Sequence, residues 1–356
     1  MPDFDVIVVG GGPAGAISAL KCSELGLDVL LMERGNVGRH KPCGGVLTPI
    51  CVDVVLKSLG MSIPRDVMCS PATLGLYYVP PSGRRSGGSV KNFRLLNVNR
   101  DLFDQWLRQL AIESGVKIWY RAELLKLRGS EPIRVSAKRG GRTFAMTTRY
   151  LIGADGVYSR VRGELYGRTK VGMEPVFQEC WRAKGDLGDY FYAFFRGEIT
   201  PAYAYVIPKG GLYIVGVGFP KTDHTTILMR INWFKKWLHE EFAFEPRSLI
   251  RREVWAVPYG FLLEGIGNTI LVGDAAGFCN ALTSEGIRLA IEGGVAAGNA
   301  IQDAIFCDEP LASTYKDRVE RISSFVRRVR RFTIGLTDED WEQFVNFELA
   351  RTSGRS

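Results

Sequence analysis

Histidine is scarce in this chain, three among 356 residues, so a histidine-based metal centre has little to draw on. Cysteine is neither paired nor clustered. Seven thiols lie at positions 22, 43, 51, 69, 180, 279 and 307, an odd number with no CxxC spacing. Neither a disulfide framework nor a zinc site is expected, no metal is assigned, and a reducing, cytoplasmic compartment follows. Long apolar runs are missing too: none reaches the ~18 residues of a membrane-spanning helix. The opening MPDFDVIVVGGG has no basic stretch ahead of its apolar core, so a secretory signal is not expected.

What is present is ordinary bulk and much glycine. Apolar residues make up 46% and charged residues 24%, enough for a large buried core, and the length allows two or three domain-sized units. The net charge of +8 suits nucleic acid, anionic lipid or an anionic cofactor. No nucleic-acid-binding module is recognisable, and the glycine loops favour phosphate on a small molecule, so no nucleic-acid partner is expected.

Residues 4–9 read as a buried strand, 14–25 as a helix and DVLLME as a second strand. This is a βαβ unit and predicts a parallel sheet. Residues 51–60 read as a helix and 70–97 as loops with short strands. RDLFDQWLRQLAIESG reads as a helix with its apolar stripe at 102, 103, 106, 107 and 110. From about 170 to 262, aromatic strand-like runs predict a separate antiparallel sheet. One helix at 231–244 interrupts it, with Ile231, Phe234, Leu238 and Phe242 expected in the core. Further helices are expected at about 285–306 and, strongly basic, at 313–332.

Gly10-x-Gly12-x-x-Gly15 lies between the first strand and the first helix, with Pro13 and Ala14 inside the turn. Gly10 permits the tight turn, Gly12 lets a pyrophosphate approach backbone N–H groups, and Gly15 lets the helix pack on the strand. The helix N-terminus adds partial positive charge. Glu33 ends the second strand where it can accept hydrogen bonds from a ribose, with Arg34 beside it. Together these point to a dinucleotide; a glycine turn serving only its own packing is the plainer alternative.

Two later segments, Asp155-Gly156 in LIGADGVYSRVR and Gly273-Asp274 in ILVGDAAG, resemble the FAD-binding fold of the aromatic hydroxylase type, and VNRDLFDQWL resembles it too. The resemblance implies FAD. It puts Asp274 on the ribityl chain, Asp155 and Gly156 near the pyrophosphate, and Arg100 near the phosphates. The N–H groups of Glu285, Gly286 and Ile287 would face the flavin's pyrimidine edge. A surface charge is the alternative for Arg100, and a helix cap for Asp274. GFCNALTSEG departs from the His-Pro-rich stretch that many hydroxylases carry there. KPCGG, with Pro42, Cys43, Gly44 and Gly45, and PAYAYVIPKGG resemble the geranylgeranyl reductase family, flavoenzymes that saturate C=C bonds of prenyl chains. Tyr203 and Pro208 match that family's YxWxFP signature. Tyr205 and Ile207 stand where tryptophan and phenylalanine are usual, and the chain is short for the family.

The implied fold is α/β, of the glutathione-reductase-type FAD superfamily, hydroxylase branch. A Rossmann-like FAD-binding domain with a parallel sheet would span 1–70, 97–169 and 263–312. An antiparallel β-sheet substrate domain would span 71–96 and 170–262, followed by a C-terminal helical segment, 313–356. The implied function is an FAD-dependent reductase that saturates C=C bonds of a geranylgeranyl-type lipid by hydride transfer from reduced flavin. Cys43 would donate or relay a proton; Tyr203 and Tyr205 would close the pocket or donate protons. A small buried turn residue and plain aromatic core are the alternatives. No second GxGxxG is present for a nicotinamide, so NADPH, NADH and ferredoxin all stay open as electron donor. The substrate is expected to be a small apolar molecule and the protein a monomer. The arginine-rich helix is either a peripheral contact for the inner face of a membrane or a solvated face. The rival readings are a flavin-dependent monooxygenase or halogenase of the same fold, and a flavin-binding protein without turnover.

Overall fold

The computed structural model describes residues 1–167, 169–185, 187–218 and 224–353. The chain opens with β1 (Phe4–Val9), α1 (Pro13–Glu24), β2 (Val29–Glu33), the short β3 (Val46–Leu47) and α2 (Pro49–Leu59). Two long strands follow, β4 (Met68–Val79) and β5 (Gly88–Val98), then α3 (Arg100–Glu113). Next come β6 (Lys117–Tyr120), β7 (Ala122–Arg128), β8 (Ile133–Arg139), β9 (Arg142–Gly153) and α4 (Arg160–Tyr166). The central stretch is β10 (Gly172–Lys184), β11 (Tyr190–Phe194), β12 (Ala204–Lys209), β13 (Leu212–Gly218), α5 (His224–Phe242) and β14 (Glu245–Tyr259). The chain closes with β15 (Gly265–Ile266), β16 (Thr269–Leu271), α6 (Ile287–Phe306), α7 (Leu311–Arg318), α8 (Glu320–Thr333) and α9 (Asp338–Ser353).

The first sheet has the order β15-β16-β9-β1-β2-β6, with β7 and β8 attached to β9. β1 pairs in parallel with β2 and β9, and β9 with β16. Val6–Val9 of β1 and Val29–Met32 of β2 are buried apolar runs, as the inner strands of a covered parallel sheet require. Helix α1 starts at Pro13, which tolerates the first helical position, and packs against α6. A Cβ at Gly15 would strike the Gly10 carbonyl, so only glycine lets this helix sit on the turn.

The second sheet has the order β14-β10-β13-β12-β11-β4-β5-β3. It is antiparallel except where β4 runs parallel to β11. Residues 70–97, expected as loops with short strands, are mostly β4 and β5. Pro80, Pro81, Gly83 and Gly87 lie in the connecting turn, and Gly75 within β4 leaves room for the Tyr190 ring of the neighbouring strand. Cross-sheet pairing outweighs the local loop-like composition. Helix α5 covers one face, with Ile231, Phe234, Leu238 and Phe242 in its core as expected. The expected helix 313–332 is two helices, α7 and α8. Val319 separates them and is fully buried beside Tyr315 and Ile322, so the bend lets both helices reach the core of the first sheet. Among the described residues, no helix is long and apolar enough to cross a membrane.

A candidate flavin and substrate cleft

The site begins at the carboxyl ends of β1 and β2. Gly10 has φ +106°, and a Cβ there would overlap the Ala154 carbonyl. At Gly12, the N-cap of α1, the space is open: the nearest atom to a Cβ would be Arg39 Nη2 at 3.5 Å. Glu33 is committed to the protein. Its carboxylate accepts from the Gly11 N–H (3.0 Å), the Gly35 N–H (2.7 Å) and Arg39 Nε (2.8 Å). A carboxylate has about four acceptor positions, so one remains for a ribose. Arg34 is exposed and does not line the cleft.

Arg39 also reaches Asp104 (3.0 Å), and Asp104 accepts from Arg100 Nε at 2.7 Å. Arg108, fully buried, donates to the Gly11 and Val37 carbonyls. Arg100 is therefore no surface charge, and the stripe expected for α3 holds at Phe103, Trp106, Leu107 and Leu110 but not at Leu102. Leu102 is exposed, whereas Arg100, Asp104 and Arg108, four residues apart, face inward under the glycine turn. Asn99 caps this helix through the Asp101 and Leu102 N–H groups, contributing about 1 kcal/mol. Burial raises the Asp104 carboxyl, but the Arg100 and Arg39 guanidiniums outweigh it and leave it below its ordinary value.

Residues 41–48 cross from this network to the second sheet. Lys41 Nζ pairs with Asp274 at 3.2 Å, so Asp274 faces the cleft rather than capping a helix. The Gly45 N–H donates to Cys43 Sγ (3.3 Å), and the Arg100 guanidinium interacts with the same thiol. Gly45, at φ +59°, lies against the Val98 carbonyl, and Gly44 against Ile207. Lys209 holds the loop from behind. Its ammonium donates to the carbonyls of Gly44 (2.6 Å), Gly45 (3.0 Å) and Val98 (2.8 Å) and to Asn97 Oδ1 (2.7 Å). Burial pushes that ammonium down to about 8, while four oxygens around three N–H donors favour the charged form at neutral pH.

One cavity of about 350 Å³ joins the glycine turn to the aromatic face of the second sheet. Its polar end holds Gly12, Pro13, Ala14, Arg100, Gly156, Asp274, Glu285, Gly286 and Ile287; Pro42, Cys43, Gly44 and Gly45 lie between the two ends. The strand period of two turns Tyr203, Tyr205 and Ile207 toward the cavity, and Ala204 and Val206 into the core beneath α5. Neither tyrosine has a proton free for the cavity. Tyr203 donates to the Thr283 carbonyl (2.7 Å) and Tyr205 to Gln178 Oε1 (2.8 Å). The Gln178 orientation is fixed because its amide N–H donates to Glu253, which also accepts from Arg251 and His40. Burial raises both phenols, and each hydroxyl stays protonated. Helix α9 closes the aromatic end: Phe344 lines it, and Trp341 stacks on Phe195 with ring centroids 4.5 Å apart.

Six expected residues lie outside the lining: Gly10, Gly15, Glu33, Arg34, Asp155 and Gly273. Gly10 and Gly273 are turn positions behind the wall. Asp155 caps α4, accepting from the Ser159 hydroxyl and the Arg160 and Val161 N–H groups, while its neighbour Gly156 faces the cavity. Sequence reasoning missed Arg39, Lys41, Asp104, Arg108, Lys209, Gln178 and Glu253. The i, i+4, i+8 charges of α3 were a usable signal, because three ionic residues on one helix face suggest mutual pairing. The others become neighbours only through the sheets.

The residues present fit FAD. The N-termini of α1 and α6 open on the same cavity with no side chain capping either, so backbone N–H groups are available to phosphate and to the flavin ring. Gly12 leaves room for close approach, and the apolar end accommodates a second, greasy molecule. Residues 3–179 match the family model described as an FAD binding domain. The chain is 29% identical over 301 residues to Protein CbrA of Escherichia coli O9:H4 (strain HS), covering 82% of this chain and 80% of that protein. Its fold resembles that of a geranylgeranyl bacteriochlorophyll reductase-like protein from Thermoplasma acidophilum, with TM-score 0.82 and 20% identity over 97% of this chain and 91% of the other. It also resembles a myxobacterial chondrochloren halogenase, with TM-score 0.76 and 18% identity over 99% and 91%. Residues 3–179 therefore carry an FAD binding domain, and the protein is an FAD-dependent oxidoreductase whose fold is that of the hydroxylases and the geranylgeranyl-reductase-like protein.

Proposed function

We propose that this protein saturates C=C bonds of a geranylgeranyl-type isoprenoid. The observation that carries the reading is the continuous cavity: a phosphate-binding end and an aromatic, apolar end meet at Cys43, with few polar groups to hold a hydrophilic substrate. Reduced FAD supplies a hydride equivalent to one alkene carbon. The chain does the rest. Leu76, Phe93, Phe191 and Phe195 exclude water and bind the isoprenoid through its buried area. Cys43, held by the Gly45 N–H and beside Arg100, orients the alkene at the join. Tyr203 and Tyr205 serve as walls, their protons directed to Thr283 and Gln178.

The test is anaerobic. Holoenzyme reduced with dithionite is given geranylgeranyl lipid, and mass spectrometry follows the gain of hydrogen pairs. Cys43→Ser is expected to keep FAD and to lose alkene reduction by about tenfold to a hundredfold, the cost of misplacing a reacting group. An unreduced lipid with fully loaded wild-type enzyme would sink the reading. Substrate-dependent oxygen uptake in air would move it to the monooxygenase or halogenase alternative.

Membrane contact belongs to the same proposal. Arg321, Arg328 and Arg331 of α8 are exposed, next to exposed Phe332 and Ile334. Leu336 follows closely and packs in one cluster with Leu282 and Phe344 of the cavity wall. Basic charge beside an apolar tip at the cavity rim suits an anionic lipid surface, at about 1 kcal/mol per basic residue. The protein is expected to sediment with phosphatidylserine vesicles at low salt, and Arg328→Ser/Arg331→Ser to weaken this about tenfold or more. Equal binding to neutral vesicles would contradict it.

A further inference from the structure

The reading above, on which this inference rests, leaves the proton for the second alkene carbon open between Cys43 and another acid, because both tyrosine hydroxyls spend theirs on the protein. We propose that Glu174 of β10 is the acid that delivers it. Strand alternation brings Glu174, Val176 and Gln178 to the same cavity wall. The other two cavity carboxylates are committed: Asp274 to Lys41, and Glu285 to the Thr48 hydroxyl (2.8 Å) and Arg288. Among the described residues, the Glu174 carboxyl has no hydrogen-bond or ion-pair partner.

Its surroundings are apolar. Val257 lies opposite it on β14, and Trp255 and Val176 share the wall. From the loop after β16, the Cys279 thiol is close enough to feel a Glu174 charge, and the Lys41–Asp274 pair acts on the same thiol. Burial raises the carboxyl above its ordinary 4.5. A half-buried, unpaired carboxyl on an apolar wall keeps its proton to higher pH than an exposed one, which favours the state a general acid needs.

The step balances. The π bond of the alkene breaks; one carbon gains a hydride, with both electrons, at the expense of reduced flavin. The other carbon takes the Glu174 proton. The O–H bond breaks, a carboxylate remains, and water reprotonates it before the next turnover. The rate of saturation therefore falls as pH rises through the Glu174 titration.

Glu174→Gln and Glu174→Asp would be loaded with FAD, reduced with dithionite and given geranylgeranyl lipid in deuterated water. Glu174→Gln is expected to keep FAD and to lose at least about a hundredfold in rate, with Glu174→Asp in between. A positioned acid adds deuterium to one face of the carbon. The residual Glu174→Gln product should carry label on both faces, an outcome that altered packing alone would not produce. Infrared difference spectra of the wild type should contain a protonated carboxyl band that Glu174→Gln lacks. Active wild type with an unchanged Glu174→Gln rate and one-face labelling would overturn the acid and leave the reductase reading standing. So would an ionised Glu174 at neutral pH. Wild type that binds FAD but leaves the lipid unsaturated would overturn both.

Discussion

Asp104→Asn is expected to lower stability by about 3–5 kcal/mol and to release FAD. Asp104 is the shared anion of two buried or half-buried guanidiniums, Arg100 at 2.7 Å and Arg39 at 3.0 Å. Removing one partner of a buried ion pair leaves the other charge desolvated and uncompensated, which costs about that much. The midpoint of thermal unfolding should fall by about 10 °C or somewhat less, as a chain of this size loses a few degrees per kcal/mol. The effect reaches the cofactor because Arg39 lies over Gly12 and Arg100 lines the cavity. Flavin absorbance after gel filtration measures it. The pH dependence has a defined sign. The folded-state pKa of Asp104 lies below the ordinary 3.8, so its stabilisation is fully present above that value and lost as pH falls through the folded pKa. Asp104→Asn should flatten the acid limb of the stability curve. A double variant, Arg100→Met/Asp104→Leu, should regain stability because a hydrophobic pair needs no charge compensation, yet still bind FAD poorly. Recovery of both would contradict a cofactor role for Arg100.

Lys209→Met should detach the Cys43 loop. Three backbone carbonyls and the Asn97 side chain share the Lys209 ammonium. Leaving buried acceptors without a donor costs about 1–3 kcal/mol each before relaxation, so a loss of about 2–4 kcal/mol is expected after the loop rearranges. Thermal unfolding reads the stability, and hydrogen exchange of the N–H groups of residues 43–47 reads the loop. FAD should stay bound, because the α1 end of the cavity is separately built, while alkene reduction falls with Cys43 out of place. The pH behaviour runs opposite to that of Asp104. A lysine titrating near 8 in the folded chain and near its ordinary 10.5 when unfolded means the unfolded state holds more protons between those values. The contribution of Lys209 to stability therefore rises with pH across that window. The variant should lack this rise. Unaltered exchange at residues 43–47 would show that the loop is held by other contacts, such as Gly44 against Ile207.

The pairing of KPCGG with PAYAYVIPKGG is a case of partial legibility. Each segment stands out locally, and both line the cavity. That Lys209, the residue after the signature proline, ties one to the other is invisible until the second sheet brings the end of β12 to Asn97 and Val98 at the end of β5. Tyr203 and Tyr205 show the limit from another direction. Their residue types announce phenols, but whether a phenol donates to substrate depends on where its proton goes. Thr283 and Gln178, distant in sequence, take both.

By itself the sequence determined what depends on neighbours along the chain. The βαβ start, the glycine turn, Glu33 at the strand end and the alternation of β12 all follow from backbone sterics and short periodicities. Tertiary structure alone decided what depends on partners far away. Asp155 became a helix cap. Arg100 became half of a buried pair. Residues with a loop-like composition became strands β4 and β5, and Glu174 was left the unpaired carboxyl of the cavity. The reason is physical: a polar group's chemistry is set by its solvent exposure and hydrogen-bond partners, and both are properties of the packed sheets rather than of any short stretch of chain.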